Sequence, residues 1–114
     1  MTSSEVPETD LARIRRWCAA RVPSEAAHQV CVVGLVDGPR VVIAEERPPW
    51  DGEATAPWET YPLARLTYVA TTRHWKLEVS AEGDRFRKYA RRPSGALEDL
   101  LEEIDADPTF VFWG

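Results

Sequence analysis

Apolar residues recur along this chain with two different periods, and the change from one to the other divides it into elements. Leu11, Ile14, Cys18 and Val22 stand three and four apart, which places them on one stripe of an α-helix with Trp17 at its edge. This spacing predicts a helix over Thr9–Arg21, capped by Thr9 or Asp10. Val22-Pro23 stops it, because the residue before proline avoids helical geometry. From Gln29 the pattern turns to strands. Gln29–Val36 and Val41–Glu46 are β-branched runs joined through Asp37-Gly38-Pro39-Arg40. Pro39 has no N–H to close a ladder, so a longer loop is expected there in place of a two-residue turn. Pro62–Ala70 reads as a third strand and His74–Ser80 as a fourth, whose Trp75, Leu77 and Val79 point one way and His74, Lys76 and Glu78 the other. Arg85–Ala90 follows a Glu82-Gly83-Asp84 turn as a fifth. Leu97, Leu100, Leu101 and Ile104, at i, i+3, i+4 and i+7, predict a second helix over Gly95–Asp105, capped by Ser94 and stopped at Asp107-Pro108. The ending Thr109-Phe110-Val111-Phe112-Trp113-Gly114 is too apolar to hang in water and is expected to pack as an ordered strand or clamp.

Short connections favour antiparallel neighbours. The fold class is therefore α+β: an N-terminal helix, a mainly antiparallel sheet of about five strands, a C-terminal helix and an apolar tail, with both helices on one face of the sheet. A length of 114 residues, 44% apolar and 29% charged, fits one globular domain over 1–114, with 1–8 flexible. No apolar run is long enough to span a bilayer, and the acidic, polar start lacks the basic and apolar segments of a secretory signal, so a cytoplasmic protein is expected. The net charge of −5 opposes nonspecific attraction to nucleic acid or anionic lipid. Cys18 and Cys31 make no disulfide framework and are expected to stay reduced.

The richest stretch lies between Ala44 and Trp75. It holds Glu45-Glu46-Arg47-Pro48-Pro49-Trp50, then Trp58, Arg65, Tyr68 and Arg73-His74-Trp75. A loop that only joined two strands would carry Gly, Asn, Asp and Ser. Trp50 and Trp58 instead flank a short loop that cannot bury them, so they fold back on the sheet or form a contact surface, and Trp and Arg are enriched at binding hot spots. The expected binding residues are Glu46, Arg47, Trp50, Trp58, Arg65 and Arg73, meeting an unknown protein or small ligand. Trp17 and Trp75 are assigned to the core, each indole N–H with an acceptor.

Other constellations are weaker. Asp37, Glu45 and Glu46 loosely resemble the carboxylates of a metal-dependent phosphodiesterase or nuclease, but Arg47 stands where such sites place lysine and stays protonated. His28, Cys31, Cys18 and His74 contain one ligand-like pair, His28-x-x-Cys31, and no second close pair. Both thiols sit in apolar runs where cysteine behaves as a small hydrophobe. Arg85, Arg87, Lys88, Arg91 and Arg92 surround Phe86 and Tyr89, and alternation would set Arg85, Arg87, Tyr89 and Arg91 beside His74 and Lys76, a layout suited to single-stranded nucleic acid. Neutralisation by the acidic face of the last helix is the simpler reading. Twelve of the fourteen basic residues are Arg, the mark of a GC-rich genome, so arginine itself says little. No nucleophile with a base and no phosphate-cradling glycine loop is present, and no cofactor is called for. A non-enzymatic binding module is therefore preferred.

Arg-Arg-Trp-Cys in the first helix, Glu-Arg-Pro-Pro-Trp at 46–50, Ala-Arg-Leu-Thr-Tyr at 64–68, Trp75, the Arg85–Tyr89 strand and the ending Asp105-Ala-Asp-Pro-Thr-Phe-Val-Phe-Trp-Gly together resemble a family of short bacterial proteins, domain of unknown function 3024. The resemblance spans nearly the whole chain and implies no activity, cofactor or site residue.

Overall fold

The computed structural model describes residues 5–49 and 57–113. Helix α1 (Glu8–Ala19) precedes a 3₁₀ turn at Ser24–Ala26, strands β1 (Cys31–Asp37), β2 (Arg40–Arg47), β3 (Glu59–Val69), β4 (His74–Ser80), β5 (Phe86–Lys88) and β6 (Ser94–Gly95), and helix α2 (Leu97–Ala106). The sheet is antiparallel throughout, in the order β1-β2-β3-β4-β5, with β6 also on β4. The α+β architecture read from the periodicities is the one observed.

Directly opposed residues share a face, so the register assigns every strand side chain. Val36, Val41, Leu66 and Leu77 form one row, and Gly34, Ile43, Ala64 and Val79 the next. These rows meet Ile14 and Cys18 of α1 and Leu97, Leu100, Leu101 and Ile104 of α2 in one hydrophobic cluster, so both helices lie on the same face. Trp75 is fully buried in it, its ring 5.2 Å from Tyr68 and its Nε1 donating to Asp10 at 3.1 Å. Asp10 was expected as a cap. It serves the indole instead, and α1 begins at Glu8 behind Pro7 with no side-chain cap. Of residues 1–8, expected to be flexible, 1–4 lie outside the described residues, Val6 is buried in the core and Glu8 opens α1.

Three further differences have clear causes. The β1–β2 connection is a two-residue turn, since Asp37 pairs with Arg40. Gly38 takes φ +58° at the first central position, and Pro39 fills the second, where no ladder N–H is needed. The carbonyl of Pro39 accepts from Tyr68 N at 2.8 Å. Strand β3 starts three residues earlier than Pro62, because the proline sits where the register slips between Ile43 and Ala44, and a bulge tolerates a missing donor. Ser94 is a ladder residue opposite Lys76 rather than a cap, so α2 begins at Leu97 after Ala96. No helix among the described residues is long and apolar enough to cross a membrane.

Candidate functional site

The β2–β3 hairpin extends past β4. Residues 59–62 of β3 pair with β2 and not with β4, whose ladder with β3 begins at Ala64–Val79, while β1 flanks β2 as far as Glu46. This end of the hairpin is an arm open on its β4 side among the described residues and bordered by β1 on the other. Glu45 and Arg47 of β2, with Tyr61 and Glu59 opposite them, point to the helix side, while Glu46 and Thr60 point to the other. Arg47 lies 3.5 Å from the Glu45 carboxylate, Thr60 Oγ1 donates to Glu46 at 3.4 Å, and the Tyr61 hydroxyl donates to Glu59, a bond that raises the phenol's pKa. Trp58 and Tyr61 are 38% and 45% exposed, so neither folds into the core.

The arm adjoins a cleft of about 390 Å³ at the end of the two helices. Val22, Val30 and Val32 give it apolar walls, and Arg21, Glu45, Asp105 and Trp113 line the rest. Its walls are fixed from several sides. The Arg21 guanidinium lies 4.6 Å over the Trp17 ring and pairs with Asp105, which leaves its buried Nε without a hydrogen bond. Trp113 packs 6.3 Å from Trp17 and donates Nε1 to the carbonyl of Ile104 at 2.7 Å. The tail that carries it is held by one carboxylate: buried Asp107, at φ 43°, accepts from Val111 N at 2.8 Å, Phe112 N at 3.1 Å and Trp113 N at 2.9 Å. The tail is thus a clamp and not a strand.

The residues expected to bind are divided by this geometry. Glu46, Arg47 and Trp58 belong to the arm. Arg65 lies five residues along β3 from Thr60, the partner of Glu46, so it is roughly 16 Å away. It faces away from the helices, bonded through Nε to Glu78 at 2.7 Å and 4.6 Å over the Phe86 ring. Arg73, at φ 57°, stands in the β3–β4 turn, at the other end of β3 from Trp58 and roughly 33 Å from it. Trp50 lies outside the described residues. What sequence reasoning missed is the cleft, with Arg21 and Trp113. Arg21 trails a helix and Trp113 closes an apolar tail, and neither carries a local pattern that points to the other.

The remaining constellations separate too. Asp37 lies six residues along β1 from Cys31, the partner of Glu46, roughly 20 Å, and Glu45 and Glu46 point to opposite faces, so these three carboxylates cannot hold one cation. Among the described residues no group of three His, Cys, Asp or Glu side chains is placed to hold a metal ion. Cys31 Sγ donates to Ala27 O at 3.6 Å, while burial pushes the Cys18 thiol up to about 11 against a smaller opposing pull from Arg21. The basic strip departs from the alternation expected of it. Register sets Phe86 and Lys88 on the face of His74, Lys76 and Glu78, and Arg87 on the other, opposite Val79. Tyr89 is buried and its hydroxyl donates a hydrogen bond to Glu103 at 2.7 Å, and Arg91 and Arg92 pair with the same carboxylate at 2.8 and 3.7 Å. The last helix thus neutralises part of the strip.

The sequence model of the family described as domain of unknown function (DUF3024) matches residues 1–114, and the chain belongs to that family. Comparison with curated proteins and with solved structures gave no match.

Proposed function

We propose that this member of the family is a non-enzymatic binding module whose contact surface is the β2–β3 arm together with the cleft beneath it. The observation that supports the reading is their continuity: Glu45 belongs to both, so the groove it forms with Arg47 and the exposed Tyr61 leads into the cleft walled by Val22, Val30 and Val32. A concave apolar site with a few converging polar groups, bordered by exposed aromatic and arginine side chains, has the composition of a recognition site. The charges suit a basic partner. Arg21 and Asp105 satisfy each other, and Arg47 touches Glu45 only at 3.5 Å, which leaves Glu45 and Glu59 as the dominant charges on the helix side of the arm among the described residues. A protein segment that places an apolar side chain against Val30 and Val32, with a cation beside it for Glu45, fits both features.

The test is photo-crosslinking in cell extract from a probe at Tyr61, with a probe at Lys76 on the opposite face as control. A defined product from Tyr61 alone, lost in Glu45→Lys, supports the reading. Equal products from both probes, or products that ignore Glu45→Lys, would place the function elsewhere. The nucleic-acid alternative makes a different prediction: Lys76 and Lys88 would dominate, and affinity would fall steeply with salt.

A further inference from the structure

The two edges of the sheet are built differently. At one stand β5 and β6, three and two residues long, with Arg85, Arg87, Lys88, Arg91 and Arg92 around them. Short strands and crowded charge are how a sheet edge resists pairing with another chain. At the other stands β1, seven residues long and paired with β2 alone among the described residues. Its sequence Cys31-Val32-Val33-Gly34-Leu35-Val36 carries no charge. Leu35 on the helix-free face is 43% exposed and Val36 on the helix side 38%. Beside it, between α1 and β1, run two apolar grooves of about 450 and 300 Å³ that share Cys18, Ala19, Val32 and Val33. A long apolar edge with free backbone donors and acceptors is an aggregation site unless something covers it.

We propose that a second copy of this chain covers it, the two β1 strands pairing antiparallel about a twofold axis at Gly34 and joining the sheets into one. A twofold interface must complement itself, and this strand does. About Gly34, Val33 falls opposite Leu35 of the partner subunit, Val32 opposite Val36 of the partner subunit, and Cys31 opposite Asp37 of the partner subunit. Apolar side chains then meet apolar ones on both faces, and the one charge in the strand meets a neutral thiol. In a chain of net charge −5, this is the stretch where two copies approach without opposing like charges. Gly34 has its own reason to lack a side chain, since a Cβ there would stand 3.3 Å from both Ile14 Cγ2 and Val41 Cγ1, and its bareness leaves the axis clear.

Light scattering on the eluting protein should give about twice the 12.9 kDa of one chain. Leu35→Lys sets an ammonium against Val33 of the partner subunit. Because Leu35 is exposed, the variant should keep its circular dichroism while its dimer dissociates with a constant raised at least about tenfold. Asp37→Cys supplies a positive signal. Opposed residues in an antiparallel pair have Cα atoms about 4.5–5.5 Å apart, within disulfide range, so oxidation should link the new thiol to Cys31 of the partner subunit. Adding Cys31→Ser should abolish that link. A monomeric wild type, a dimer indifferent to Leu35→Lys, or a cross-link that survives Cys31→Ser would each overturn the proposal.

Discussion

Asp107 does more for the fold than its surroundings suggest. It ends α2 in a left-handed conformation and its carboxylate then gathers three successive backbone N–H groups, which turns an apolar tail into a fixed wall of the cleft. Asp107→Ala would strand those donors and is expected to destabilise the protein by about 2–4 kcal/mol, read from urea melting. Asp107→Asn should cost less, because its one oxygen can keep the bonds from Val111 N and Phe112 N while its NH₂ faces the N–H of Trp113. Glu103 gives a pH dependence. The hydrogen bond from Tyr89 holds its carboxyl below the usual range, and Arg91 adds to the effect against some desolvation. A depressed folded pKa means stability that is present above the ordinary carboxylate range and lost as pH falls through the lowered value. Glu103→Gln should therefore flatten the acid limb of the stability curve. For Cys18 the sign is opposite: with the thiol raised to about 11, its contribution holds below its unfolded pKa and fades as pH rises toward that value. A thiol reagent at neutral pH should modify Cys31 first and reach Cys18 only on unfolding.

At the scale of elements, packing decides more than end signals do. Leu101 is 4% exposed on the buried stripe of α2, and Leu101→Ala should cost about 2–5 kcal/mol by loss of transfer energy and the cavity left behind. Gly34→Ala should also destabilise, since Ile14 and Val41 would have to give way by a few tenths of an ångström. Calorimetry on both variants checks these, and an unchanged melt for Leu101→Ala would remove α2 from the core. Such stripes were legible in the sequence because burial imposes its period on every turn of helix and every second strand residue. Ends were not. Ser94, Asp10 and Pro39 each carry the chemistry of a cap or a loop, yet a ladder partner, an indole N–H and a two-residue turn claim them. The candidate site was half legible for the same reason. The cost of exposing Trp58 beside Glu46 and Arg47 is a local fact, whereas the meeting of Arg21, Glu45 and Trp113 depends on how three distant segments close on one another.

For the whole molecule, the two proposed surfaces make a joint prediction. Pairing about Gly34 matches Val33 with Leu35 of the partner subunit, and these share a face, so both helical layers would lie on the same side of the joined sheet. The two clefts, each beginning near Val30 and Val32, would then open on that side roughly 25 Å apart, counted from the strand rise and the spacing between strands. A partner with one basic, apolar anchor should bind each cleft alone and should not distinguish dimer from monomer. A partner with two anchors on a linker able to span that distance should bind the dimer more tightly, because the second contact becomes intramolecular. Single and tandem copies of a captured segment, titrated against the wild type and against Leu35→Lys, separate the cases. The tandem should lose roughly a hundredfold in affinity on Leu35→Lys while the single copy loses nothing. Glu45→Lys should weaken both without changing the oligomeric state, since Glu45 lies on β2, one strand in from the edge that pairs. If Leu35→Lys weakened the single copy as well, the strand edge itself would be part of the ligand site and the assignment of separate roles to edge and cleft would fail.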